Sequence, residues 1–239
     1  MRLQTLIRKC IDPLVPRQYW MAYDFAVDRW MGRLEEEIFM LERLPTERKT
    51  AIDVGANKGH YTYKMSKLFE NVIAFEPNRL VTARMERTKP SNVKVENVAL
   101  SDSPSVATLY IPIVDGRELY GWASFDRKNM PGATELRSVE VEVRPLDAFS
   151  IDGVSLMKID VEGHELQVLA GATETIERCR PVVLVEIKKR NRSEAAALFE
   201  GLRYRCHALL DGELREVEGG LGSFVGEKEN FFFIPEGGS

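Results

Sequence analysis

Long apolar runs are missing from this 239-residue chain. No segment approaches the roughly 20 consecutive apolar residues of a membrane-spanning helix. The start, Met1-Arg2-Leu3, carries no long apolar stretch behind its charges, so a secretory signal is not expected. There is no basic excess: 33 Lys and Arg stand against 37 Asp and Glu, a net charge of −4. That argues against a protein built to read nucleic-acid phosphates. Cysteine is scarce, with three residues (Cys10, Cys179 and Cys206) and no metal-ligand spacing among them. The reading is a reducing, cytoplasmic setting and no structural zinc.

What is present is the balance of an ordinary globular protein, 44% hydrophobic and 29% charged. A chain of this length can bury a core without disulfides or metals. Residues 1–49 read as a helical extension, with a break near Pro13 and Pro16. Beyond them, Trp20, Tyr23, Val27, Trp30, Met31, Leu34, Ile38 and Leu41 recur at three- and four-residue steps as one apolar stripe. Such a stripe either packs on the main domain or walls a substrate pocket.

From residue 50 to 239 the pattern is that of one α/β domain. Apolar runs at Thr50–Val54, Val72–Phe75 and Val93–Val98 alternate with helical segments through Lys64–Phe69 and Arg79–Thr88. This alternation predicts a doubly wound parallel sheet. Residues 105–149 interrupt it, with strand-like Val106–Ile111 and Val139–Val143 around a Gly- and Pro-containing stretch. It resumes with Ser155–Asp160, helices from His164 to Arg178, Pro181–Ile187, a helix over Ser193–Leu202 and Tyr204–Leu210. Asp211-Gly212 reads as a hairpin turn, and Asn230–Ile234 as the last strand.

The turn Asp53-Val54-Gly55-Ala56-Asn57-Lys58-Gly59-His60-Tyr61 joins a buried strand to a helix. Gly55 and Gly59 are expected to let the backbone turn tightly and approach a ligand. Glu76, in Phe75-Glu76-Pro77, lies 21 positions beyond Gly55, near the spacing of about 20 at which an acid meets a ribose in this type of sheet. Neither GxGxxG nor a Walker sequence occurs, so an adenosyl ligand lacking pyrophosphate fits better than a dinucleotide or a nucleoside triphosphate. An NAD(P)-dependent oxidoreductase and a non-catalytic cofactor-binding domain are the alternatives.

These motifs, in order, resemble those of the FkbM methyltransferases, within the class I S-adenosylmethionine-dependent group. The resemblance rests on Ile52–Asn57 with Gly59, Phe75-Glu76-Pro77, Asn97–Asp102, Lys158–Gly163 with Glu165, Val168-Leu169 with Gly171-Ala172, and Pro181, Leu184 and Glu186. It implies a seven-stranded, mostly parallel methyltransferase sheet whose final strand runs antiparallel, and S-adenosyl-L-methionine as cofactor. By the same resemblance Asp53, Gly55 and Asn57 surround the methionine part, with Ala56, Gly59, Tyr61 and Asp160 nearby, and Glu76 beside Pro77 binds the ribose. Ala99, Leu100, Ser101 and Asp102 border the adenine.

The reacting end is expected around Lys158-Ile159-Asp160-Val161-Glu162-Gly163-His164. A neutral hydroxyl must lose a proton to accept a methyl group, so a general base is required. Asp160, Glu162, His164 and Glu186 are the candidates. Together they could also form a hard-metal site of oxygen ligands suited to magnesium. The spacing fixes no geometry, and no metal is expected. The acceptor is read as a small-molecule or glycan hydroxyl compound under residues 112–135, where Tyr120, Trp122, Ser124 and Phe125 cluster; the other reading of that stretch is a cap on the sheet edge.

Overall fold

The computed structural model of the chain describes residues 14–45, 47–127, 130 and 132–237. Cys10, Pro13 and the helical expectation for the first thirteen positions lie outside the described residues. No helix among these residues is long and apolar enough to cross a membrane.

After a helix α1 (Trp20–Trp30) and a single turn α2 (Glu37–Met40), the chain enters β1 (Thr50–Val54), buried at every position. It continues through α3 (His60–Ser66), β2 (Asn71–Phe75), α4 (Arg79–Glu86) and β3 (Val93–Glu96). Short β4 (Ala99–Leu100), long β5 (Ser105–Val114), β6 (Arg117–Glu118) and long β7 (Glu135–Arg144) follow. The remainder is β8 (Val154–Ile159), α5 (Glu165–Ala170), α6 (Thr173–Cys179), β9 (Val182–Glu186), α7 (Arg192–Gly201), β10 (Tyr204–Leu210), β11 (Glu213–Glu216) and β12 (Asn230–Pro235).

The main sheet has eight strands in the order β11-β10-β12-β9-β8-β1-β2-β3. From β9 to β3 every pairing is parallel, while β12 runs antiparallel to both β9 and β10. The antiparallel last strand therefore agrees with expectation, but the sheet is mixed and has an eighth strand. The cause is local: Asp211 (φ 52°) and Gly212 (φ 78°) both take the left-handed conformation and turn β10 back as β11.

The period of two along the strands divides the core between the sheet's faces. Ile52, Val54, Met157, Ile159, Phe231 and Phe233 fall in one cluster; Ala51, Leu156 and Phe232 fall in the other. The second cluster also takes Phe25, Ile38, Met40 and Leu41, so residues before β1 share the core of the sheet.

Two sequence expectations change. The N-terminal stripe is neither continuous nor in the predicted phase. α1 buries Met21, Asp24, Phe25 and Asp28, Trp30 is 67% exposed, and the helix ends before Gly32 at φ 63°. The buried aspartates have basic partners: Arg84 pairs with Asp24, while Arg33 and His60 lie 3.5 and 3.2 Å from Asp28. The second change concerns β3, which stops at Glu96. The Asn97 amide donates to the carbonyls of Glu76 and Pro77 (3.0 and 2.9 Å), and Ala99–Leu100 pair instead with β7. The interrupting stretch thus becomes a second sheet, β4-β7-β5-β6, beside the carboxyl ends of the main strands.

Candidate active site

The carboxyl ends of β1, β2 and β8 meet at two adjoining cavities, one smaller and one larger, where sheets of this kind bind ligands. Glu76, Pro77, Ala99, Leu100 and Phe125 line the smaller; Glu35, Asp53, Lys58, Tyr61, Trp122 and Lys158 line the larger. Gly55, Asn57, Tyr120, Gly121 and Asp160 face both.

Gly55 is required by close packing within the protein. At φ 78°, a Cβ there would lie 1.9 Å from the Asp160 carbonyl oxygen, so the glycine lets β1 and β8 close on each other. At Gly59 a Cβ would press on the side chains of Met21 and Met85 at 3.1 and 3.3 Å. Both glycines serve contacts within the protein, and through them fix the turn that carries Ala56 and Asn57.

Glu76 is 7% exposed, and its two oxygens accept the Asn57 and Asn78 backbone N–H groups at 2.9 and 2.8 Å. Burial pushes its carboxyl from the ordinary 4.5 up to about 7, against the opposing pull of those donors. Asp53 accepts the Thr62 hydroxyl at 2.5 Å on one oxygen; the other is buried and unpartnered, as is Asn57 Oδ1. Burial raises the Asp53 carboxyl above its usual range in spite of Lys158 nearby. Tyr61, in the first turn of α3, donates its hydroxyl to Glu35 at 2.7 Å and lays its ring 4.4 Å from the Lys158 ammonium.

Asp160 follows the last residue of β8 and receives the Lys158 ammonium at 2.7 Å. Burial opposes its charge, but Lys158 and a hydrogen bond from Glu186 hold it below the usual carboxylate range. Glu186 ends β9. Burial and the Asp160 charge raise its carboxyl far above the usual range. Glu162 stands in the left-handed conformation (φ 53°), 3.2 Å from Lys188, with its carbonyl accepting the Ser124 hydroxyl at 2.9 Å. Burial raises its carboxyl as well.

The structure separates the remaining candidates from this group. His164 lies 2.9 Å from the Ser101 hydroxyl and edge-on to Phe125 at 5.1 Å; burial lowers its pKa and favours the neutral ring. Asp102 is exposed, bound to the Ser103 and Ser101 hydroxyls, which lower its carboxyl. Neither Ser101 nor Asp102 lines a cavity described above, whereas Ala99 and Leu100 do. Glu165 turns back to accept the Gly163 N–H at 2.7 Å.

Among the described residues, Asp160, Glu162 and Glu186 bring carboxylate oxygens within 4.8 Å of one another, a donor set able to hold a hard cation. Lys158 and Lys188 already pair with two of the three acids. Sequence reasoning missed Lys188 and Glu35 as members of the site. Lys188 follows Glu186 by two positions, a spacing that could have suggested a shared side. Glu35 carries no local signal, because its place depends on how the segment before β1 docks.

The sequence model of the Methyltransferase FkbM domain matches residues 53–209. No curated protein sequence matches the chain. A solved FkbM methyltransferase from Methylobacillus flagellatus KT is 16% identical, with a TM-score of 0.50 over 95% of this chain and 60% of that one. The chain thus spans less than two thirds of that structure's length, and the likeness is one of fold. A TehB-like SAM-dependent methyltransferase from Corynebacterium glutamicum is 10% identical over 90% of this chain and 96% of that one, TM-score 0.47. A precorrin-6y C5,15-methyltransferase from Geobacter metallireducens is 8% identical over 83% and 84%, TM-score 0.45.

Proposed function

The chain belongs to the FkbM methyltransferase family, and from that premise we propose that it transfers a methyl group from S-adenosylmethionine to a hydroxyl of a small molecule or glycan. The observation that carries this reading is the position of Asp160: it faces both cavities, where a donor and an acceptor would meet.

The residues of the smaller cavity suit an adenosyl ligand. Glu76 offers a carboxylate to the ribose hydroxyls, and Pro77, Ala99, Leu100 and Phe125 offer apolar walls to the adenine. The unpartnered oxygens of Asp53 and Asn57 are acceptors suited to the ammonium of the methionine part, because a buried polar atom without a partner is costly until a ligand supplies one. S-adenosylmethionine, when bound, supplies a methyl group made electrophilic by its sulfonium.

The protein's own task is then to place a hydroxyl oxygen in line and remove its proton. Asp160, the anion of its pair, accepts that proton; Glu186, the protonated member, fixes Asp160 by donating to it. Glu162 adjoins them under Lys188. Tyr120 and Trp122, 36% and 48% exposed, give the larger cavity aromatic faces suited to a sugar or polyketide-like alcohol. Lys158 and Lys188 supply the positive charge that a cation would bring to the three acids, so the reading needs no metal.

Calorimetric titration with S-adenosylmethionine and S-adenosylhomocysteine, with NAD as control, tests this. Micromolar binding of the adenosyl ligands alone, unchanged by EDTA, is expected; binding of NAD instead, or of neither class, refutes the reading.

A further inference from the structure

Lys158 occupies a place where a lysine is costly. Its side chain is 5% exposed, and taking an ammonium out of water is unfavourable unless partners replace the solvent. Those partners come from four segments. Asp160 binds it at 2.7 Å from the end of its own strand. Asp53 stands beside it on β1, paired with it in register. The Tyr61 ring covers it at 4.4 Å from α3. Glu35, ahead of β1, accepts the Tyr61 hydroxyl at 2.7 Å and so fixes the ring. A buried ion pair is a poor device for stability alone, since well-packed apolar residues often serve as well. Here it ends on Asp160, among the described residues the one carboxylate that faces both cavities.

We infer that Lys158 is a positioning residue of the transfer step, holding the Asp160 carboxylate at the junction of the two cavities, with Tyr61 and Glu35 fixing the ammonium in turn. The inference rests on the proton-accepting role assigned to Asp160 above. Besides Lys158, Asp160 is faced by Asp53 from β1, Glu186 and Lys188 from β9 and its continuation, and Glu162 from the loop after β8. The two lysines and a hydrogen bond from Glu186 favour its anion; the negative charge of the neighbouring acids opposes it.

The test is a carboxyl-13C NMR titration of the full chain labelled at aspartate, with the Asp160 resonance assigned by its loss in Asp160→Asn. In the unaltered protein that resonance is expected to stay at its ionised position down to the ordinary aspartate value of 3.8. Lys158→Met is expected to raise the midpoint by about one unit or more, while Lys158→Arg, which keeps the charge, restores it. An unmoved midpoint in Lys158→Met overturns the inference. So does an Asp160 midpoint above the ordinary range in the unaltered protein, a result that stands even if the variant fails to fold. Titration of the unaltered protein with S-adenosylhomocysteine separates the two claims, since absence of binding refutes the cofactor reading and leaves the Lys158–Asp160 measurement to decide the ion pair.

Discussion

Glu76, buried, and Asp160, half-buried, are two carboxyls with opposite tendencies, and the difference lies in their neighbours. Glu76 meets two neutral backbone donors, which do not offset its burial; Asp160 meets an ammonium and a carboxyl proton, which do. Because the folded Glu76 carboxyl titrates at about 7 rather than 4.5, the folded state binds the extra proton. Its contribution to stability is full at low pH and declines as pH rises through that window. Ribose hydroxyls donate to the anion, so adenosyl affinity should tighten across the same window and level off above it. Calorimetry over a pH series should show this in the unaltered protein, and a flat, weaker response in Glu76→Gln. For the acid pair, an amide can imitate a protonated carboxyl but not a carboxylate. Glu186→Gln is therefore expected to keep methyl transfer to an accepted alcohol within roughly tenfold, whereas Asp160→Asn should lose about 10²-fold or more. Equal losses in steady-state assays of the two variants would dismiss the division of roles.

At the scale of elements, the turn from β1 to α3 is fixed by close packing as much as by conformational freedom. An alanine at position 55 would need both a left-handed backbone and space already taken by the Asp160 carbonyl 1.9 Å from its Cβ. Gly55→Ala should destabilise the fold by about 2–4 kcal/mol, the combined scale of backbone strain and overpacking, with the urea midpoint as the measurement. Movement of β8 away from β1 would also displace Asp160, so adenosyl binding should weaken in the same variant. The hairpin of β5 and β7 has a comparable link to the site. It brings Ser124 to the Glu162 carbonyl and Phe125 to His164, tying the covering segment to the loop that bears the acids.

For the whole molecule, the segment before β1 is the part whose role changes most. Phe25, Ile38, Met40 and Leu41 belong to one of the two main clusters, packed with Met65, Phe69 and Val72. Each such side chain contributes about 1.5–3 kcal/mol when buried, so together they approach the total stability of a typical domain, about 5–15 kcal/mol. A chain beginning at Thr50 should therefore fail to fold cooperatively, as read by circular dichroism on heating. A sharp transition near that of the full chain would instead make residues 1–49 a dispensable extension. The same segment supplies Glu35 to the wall of the larger cavity, so fold and site depend on it together.

The sequence by itself determined what is local and periodic. Continuous apolar runs placed β1, β8 and β9; Asp211-Gly212 placed the hairpin; the Gly55 turn and Glu76 located the smaller cavity. These features are readable because each depends on neighbours a few positions away. Alternation along β8 likewise puts Lys158 and Asp160 on one side. Tertiary structure alone decided the rest. The phase of α1 went to the face carrying Asp24 and Asp28, because Arg84 and His60 arrive from distant positions to partner them. β3 ended early because the Asn97 side chain bonds carbonyls twenty or more positions away in the chain. The approach of the Asp160 and Glu186 carboxyls depends on two strand ends meeting. Charge compensation across such distances has no period, and so it leaves no pattern in the order of residues.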